Sequence, residues 1–257
     1  MTKIKNLIYV AAGLAILVIL WEAVVLTGRY EASLLPSPLD VLKAAVQLIK
    51  NGTLFSDIKV SLYRFIIGYS SAVTLAVILG LVLGRLTRTW KIIDPIVQVL
   101  RPVSPIAWFP FIVLWFGIGD MPAIVIIFIA AFYPVLLSTI SAVKKVDEIY
   151  LKVARDFGIR KTNLLTRIIF PASFPYIANG LHIALGSAWV FLVAGEMVGA
   201  QSGLGYLIID ARNSLRSDMV LAGIIFIGIS GLLLDRAIRF FEKRVEKRWG
   251  IVSREGI

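Results

Sequence analysis

Residues 144–171 read KKVDEIYLKVARDFGIRKTNLLTRIIFP, and they lie between two runs, 121–143 and 173–195, that contain no Asp, Glu, Lys or Arg. Inside the charged stretch Val146, Ile149, Tyr150, Val153, Ala154 and Phe157 recur at helical spacing. That spacing predicts a helix with one apolar and one charged face. Gly158 then interrupts it, as a glycine that tolerates positive φ does at a helix C-terminus. A second short helix over about 162–170 is expected to run into Pro171. The two make a helix–glycine–helix elbow between apolar spans, which either folds back on its own bundle or docks into another protein.

Outward from the elbow the chain is a series of spans. A bilayer core takes roughly 20 helical residues to cross, and six stretches qualify: 7–27, 65–84, 92–116, 121–143, 173–195 and 217–238. The third carries Asp94 and Arg101 and is broken by Pro102, Pro105 and Pro110. The whole chain of 257 residues is 58% apolar and 17% charged, against about 45–50% and 25% in soluble domains. That balance excludes disorder and an ordinary soluble enzyme. No cysteine and a single histidine, His182, exclude a disulfide framework, a thiol nucleophile, an iron–sulfur cluster and a multi-histidine metal site. The first span is read as a retained helix and not a signal peptide, because its apolar run is long and no small-residue cleavage site follows.

Positive charge orients these spans. The N-terminus, the 85–91 connection, the elbow and the C-terminal tail hold 19 of the 27 basic residues. They share one side only if both termini do, and Lys/Arg-rich segments stay cytoplasmic. The net charge of +11 follows from topology and calls for no nucleic-acid partner. On the other side, Ser37 before Pro38 with Asp40 three residues on marks a helix start. The polar stripe Asp40, Lys43, Gln47 and Lys50 makes that helix amphipathic, lying on the outer face.

No Gly-Lys dipeptide exists, so no P-loop does. GIGDMP at 117 and GLGYLI at 203 lack the third glycine of a dinucleotide site. His182 has no acidic neighbour close in sequence and reads as a hydrogen-bonded core residue. With no reactive constellation, uphill transport would need an ion gradient or a separate ATPase. A secondary carrier built on internal repeats is the alternative, but residues 1–120 and 121–257 show no repeat. A membrane-bound enzyme would need clustered polar residues at one face. Ionisable groups at membrane depth face a cavity or a partner. Arg64 and Arg101 either pair with Glu196 or Asp94 or touch the solute. Trp108 and Trp115 either face a cavity beside the proline-broken backbone or pack. The small residues Gly68, Ser70, Ser71, Ala72, Ala76, Gly80 and Gly84 prepare the second span for close helix contact.

The elbow resembles the cytoplasmic loop of permease subunits of binding-protein-dependent ABC importers, which reads EAA, three residues, Gly, nine residues, Ile, one residue, Leu-Pro. Ala154, Gly158, Ile168 and Pro171 stand in register, while Lys152, Val153 and Phe170 depart from the pattern. LLPSPLDV, SLYRFIIGY, PIAWFPFIVLWFGIG and AGEMVGAQSGLGYLI look like the nitrate/sulfonate/taurine-type family. The resemblance implies an all-α integral membrane protein with six transmembrane helices, the type I ABC importer permease fold and both termini cytoplasmic. Residues 1–60 would be the first helix plus the external helix, 61–240 the permease core and 241–257 a basic cytoplasmic tail. It implies a prokaryotic cell (inner) membrane protein that imports a small anionic solute such as nitrate, a sulfonate, taurine or bicarbonate. Its partners would be two cytoplasmic ABC ATPase subunits, a second permease copy as a homodimer, an extracytoplasmic solute-binding protein and the lipid bilayer. The chain itself would hold no cofactor or metal, ATP and Mg being bound by the ATPases. Coupling would fall to Ala154, Arg155, Asp156, Phe157, Gly158, Ile159, Arg160, Lys161 and Pro171. Arg64, Arg101, Ser104, Trp108, Glu196, Gly203 and Gly205 would line the path or gate, with 203–207 as a short external re-entrant loop and Glu196 paired with a basic residue or orienting the gate.

Overall fold

The computed structural model describes residues 2–29, 31 and 33–248, and all the regular elements among them are helical. In chain order these are α1 (Thr2–Leu26), α2 (Pro38–Lys50), α3 (Thr53–Arg85), α4 (Thr87–Leu100), α5 (Phe109–Phe116), α6 (Asp120–Lys144), α7 (Glu148–Asp156), α8 (Lys161–Leu164), α9 (Phe170–Gly199), α10 (Leu204–Asn213) and α11 (Ser217–Arg248). A 3-10 turn, Pro105–Trp108, precedes α5, and a π-helical turn, Leu165–Ile169, precedes α9.

Four of these helices are long and apolar enough to cross a membrane. Helices α4 and α5 pass the same test together, bent by 84° at the break between them. A bend there has a local cause, since prolines at 102, 105 and 110 remove backbone donors one after another. The apolar part of α1, Ala11–Leu26, is shorter. Most of its described side chains are exposed, and Trp21 reaches back to donate from Nε1 to the Pro36 carbonyl at 3.2 Å.

The core is built on α6, which lies between α3 and α9. Its contact with α3 is as close as glycine permits. A Cβ on Gly68 would stand 2.8 Å from the Ile124 carbonyl oxygen, one on Gly80 2.6 Å from Thr139 Cβ, and one on Gly84 2.7 Å from Val143 Cβ. Of the small residues expected on the second span, Gly68, Ala72, Ala76, Gly80 and Gly84 are buried, the three glycines against α6, whereas Ser70 and Ser71 are exposed. At one end α2 packs Val41, Ala44 and Leu48 inward. It starts as its sequence predicts: the Asp40 amide donates to Ser37 Oγ, which in turn donates to the Asp40 carboxylate at 2.8 Å. That hydroxyl first, and Lys43 next, hold the Asp40 carboxyl below the ordinary carboxylate range.

Two expectations are corrected. The helix after Gly158 does not end at Pro171. It is one turn of α8, widened into the π turn, and it continues as α9 with Pro171 in its first turn. Pro171 has no N–H for the Arg167 carbonyl, and here the Phe170 amide reaches back five residues to Leu165. The stretch after Gly203 is not a loop but the ten-residue helix α10, packed on α9, α11 and α3. Residues 249–257 of the expected basic tail lie outside the described residues, as do the side chains of Lys3 and Lys5.

Candidate functional site

At the α10 end of the bundle, the first four turns of α3 present Asp57, Ser61 and Arg64 on one face, at spacings of four and three. All three are buried, and so is Glu196 near the end of α9. Arg64 Nη1 donates to Glu196 Oε1 at 2.8 Å and to the Ser202 carbonyl at 2.7 Å. Its Nε donates to Asp120 Oδ1 at 2.8 Å and its Nη2 to Ser202 Oγ at 2.9 Å. The planar fork of a guanidinium makes such a set of bonds possible, and an ammonium could not supply it. Ser61 Oγ donates to the Glu196 carboxylate at 2.8 Å and accepts from the Leu204 amide at 2.9 Å. The Gly205 amide donates to Glu196 Oε2, and the Gly203 amide to Asp57 Oδ1, each at 2.9 Å.

Both Glu196 oxygens are therefore occupied, so the carboxylate is a joint between helices and not a free anion. The glycines have steric reasons. Gly203 has φ +105, and a Cβ there would run into the Glu196 carboxylate; one on Gly205 would run into the Val193 carbonyl. Of the expected path or gate residues, Arg64, Glu196, Gly203 and Gly205 are brought together here. Asp57, Ser61, Asp120 and Ser202 belong to the same cluster and were missed, although the 57–61–64 stripe is visible in sequence. Asp94 is elsewhere, accepting from Gln98 Nε2 at 3.1 Å.

Arg101 stands at the α4–α5 bend beside a cavity of about 320 Å³, which Pro102, Pro105, Tyr133, Pro134 and Ser187 also line. Ser104 stands at the N-cap position of the 3-10 turn without a side-chain cap bond and is exposed, and Trp108 is half-buried in that turn; neither lines the cavity. Trp115 is exposed against Phe111.

At the opposite end of α3, α6 and α9 is the elbow. Gly158 has φ +64, and the Ile159 amide bonds back to the Ala154 carbonyl at 3.0 Å, the 6→1 bond of a Schellman C-cap. Ala154 is buried, and Val146 packs against Val143 and Ile169. The remainder of the apolar face is uncovered: Phe157 is 80% exposed, Ile149 64%, Tyr150 58% and Val153 48%. Asp156, Ile159 and Arg160 are exposed beside it. The side chains of Arg155 and Lys161 lie outside the described ones. A groove of about 600 Å³ runs between the elbow and the end of α3, lined by Val82, Arg85, Leu86, Gly158, Ile159, Leu164 and Leu165.

The described residues thus form a multi-span helical bundle with a polar joint at one end and an uncovered apolar elbow at the other. The description "binding-protein-dependent transport system inner membrane component" belongs to the family whose model matches residues 72–247. The chain belongs to that family, as a multi-pass component of the cell membrane and of an ATP-driven ABC importer. It is 35% identical to the taurine transport system permease protein TauC of Escherichia coli, over 93% of this chain and 89% of TauC. It is 36% identical to the nitrate import permease protein NrtB of Synechocystis sp., over 91% of this chain and 88% of that one. In fold it matches a chain of the inward-facing MetNI methionine ABC transporter with a TM-score of 0.51 at 15% identity, covering 72% of this chain and 94% of that one.

Proposed function

We propose that the chain is the translocation subunit of an importer for a small anionic solute of the nitrate, sulfonate or taurine kind. Two copies form the pathway, two ATPase subunits seat on the elbows, and an extracytoplasmic binding protein delivers the solute at the α10 end. In this reading α1 and the bent α4–α5 pair complete six spans. Residues 1–60, 61–240 and 241–257 act as entry helices, core and basic tail, with both termini and the elbow in the cytoplasm. The observation that carries it is the uncovered apolar face of the elbow. An 80%-exposed phenylalanine at the tip of a capped helix is a costly arrangement in water, and an ATPase groove would cover it.

The residues then take separate roles. Phe157 is the apolar anchor, Asp156 and Arg160 offer polar contacts, Gly158 sets the turn, and Pro171 starts the helix that carries the motion inward. Arg155 and Lys161 are assigned to the same contact from sequence. Arg101 supplies positive charge beside the cavity at the bend; Ser104 and Trp108, which do not line that cavity, are assigned to the path from sequence. The Arg64–Glu196 joint with Gly203 and Gly205 frames the outer gate and does not bind solute. The test is Gly158→Asp in the assembled transporter. ATP-dependent uptake of taurine and nitrate should be abolished while the chain still inserts in the membrane. Normal uptake by this variant would refute the coupling role, and accumulation by the chain alone in vesicles without nucleotide would refute the importer reading.

A further inference from the structure

His182, the chain's one histidine, lies in the middle of α9 with a carboxylate at each ring nitrogen. Nδ1 is 3.2 Å from Asp235 Oδ1 and Nε2 is 2.5 Å from Glu242 Oε2. Both acids are on α11, seven residues apart and hence on one face, and Arg239 between them donates from Nε to Asp235 Oδ2 at 2.8 Å. The imidazole and the Glu242 side chain are largely buried, 21% and 11% exposed. Tyr69 of α3 faces the same place, its hydroxyl donating to the Leu181 carbonyl at 2.8 Å and its ring sharing an apolar cavity with Glu242.

An ionised carboxylate only accepts hydrogen bonds, and a neutral imidazole has one N–H to give. Two ionised carboxylates on two ring nitrogens are both satisfied only by a ring that carries both protons; a neutral ring would instead need a protonated Glu242 to donate to Nε2. We propose that His182 is a bridging imidazolium, an ionic clamp that fixes the elbow-side half of α11 to α9. Much of the apolar surface of α11, including Ile229, Leu232, Leu233, Phe240 and Phe241, is exposed, so few apolar side chains there are available to fix it to α9. Because α9 continues from the elbow through the π turn, the clamp makes α11 travel with the driven helix. That consequence rests on the coupling role proposed above; the clamp itself does not.

A single histidine makes the test direct. The full chain, purified with a histidine-free tag and labelled with nitrogen-15 histidine, should show protons on both ring nitrogens. One bare ring nitrogen would overturn the imidazolium. Thermal unfolding of H182Q, E242Q and the double variant should be non-additive, with E242Q losing at least roughly half of its effect once His182 is gone. Additive shifts would overturn the clamp. In the assembled transporter H182Q should keep ATP hydrolysis but lose uptake of taurine or nitrate per ATP. Parental uptake per ATP would overturn the transmission role, whereas failure of the unaltered transporter to use ATP at all would count against the importer reading and leave the clamp standing.

Discussion

At Arg64 one guanidinium contacts Glu196 of α9, Asp120 of α6 and the Ser202 turn before α10. Removing one member of a buried ion pair strands the other, at roughly 3–5 kcal/mol. Arg64→Met should therefore destabilise the protein by about that amount in thermal unfolding. Glu196→Gln should cost less, since Arg64 keeps Asp120 and the amide oxygen still accepts on one side, although its NH2 group then faces a donor on the other. Measured unfolding in the reverse order would mean that the carboxylate, and not the guanidinium, organises the joint. In transport, an effect of Glu196→Gln on affinity for an anionic solute larger than that on turnover would make the carboxylate a solute contact. Leu215 offers a gain. It holds φ 56 between α10 and α11 and is 83% exposed, a left-handed conformation that costs a branched residue roughly 1–2 kcal/mol. Leu215→Asn should raise the unfolding temperature, because Asn tolerates that conformation. An unchanged or lower temperature would show that the leucine side chain repays its strain through packing.

Among the elements, α3 and α6 are the pair whose separation is set by single residues. Gly80→Leu should push them apart, because its Cβ alone would overlap Thr139. The expected result is a loss of several kcal/mol, in the range of overpacked cores, seen as poor accumulation in the membrane and early unfolding. Stability equal to the parent would mean that the helices can slide past each other. Most elements were readable beforehand. Charge-free length located three of the spans, and Ser37–Pro38–Asp40 located the start of α2, because both signals are local. Two elements were not. Pro171 lacks a backbone donor whether it closes one helix or opens the next, so the residue alone does not say which. The resemblance implied a loop at 203–207, yet Gly203 begins α10 and Gly205 lets it approach α9, and only the tertiary contact shows those uses.

For the whole molecule, the elbow was legible because its apolar period, its glycine and its register with the permease loop all lie within 28 residues. The joint was half legible. Arg64 and Glu196 stood out as charges at span ends, but their pairing, and the contributions of Asp120 and Ser202, join segments 56 to 138 residues apart. His182 hid for the same reason, with its acids 53 and 60 residues downstream. The π turn at Leu165–Ile169 bears on how such a machine is aimed. Each residue of an α-helix advances the winding by about 100°, so one residue more or fewer in that turn swings everything attached beyond it around the axis of α9. The compass bearing of Phe157 is thus dialled by a single backbone position, an adjustment that leaves the bundle untouched.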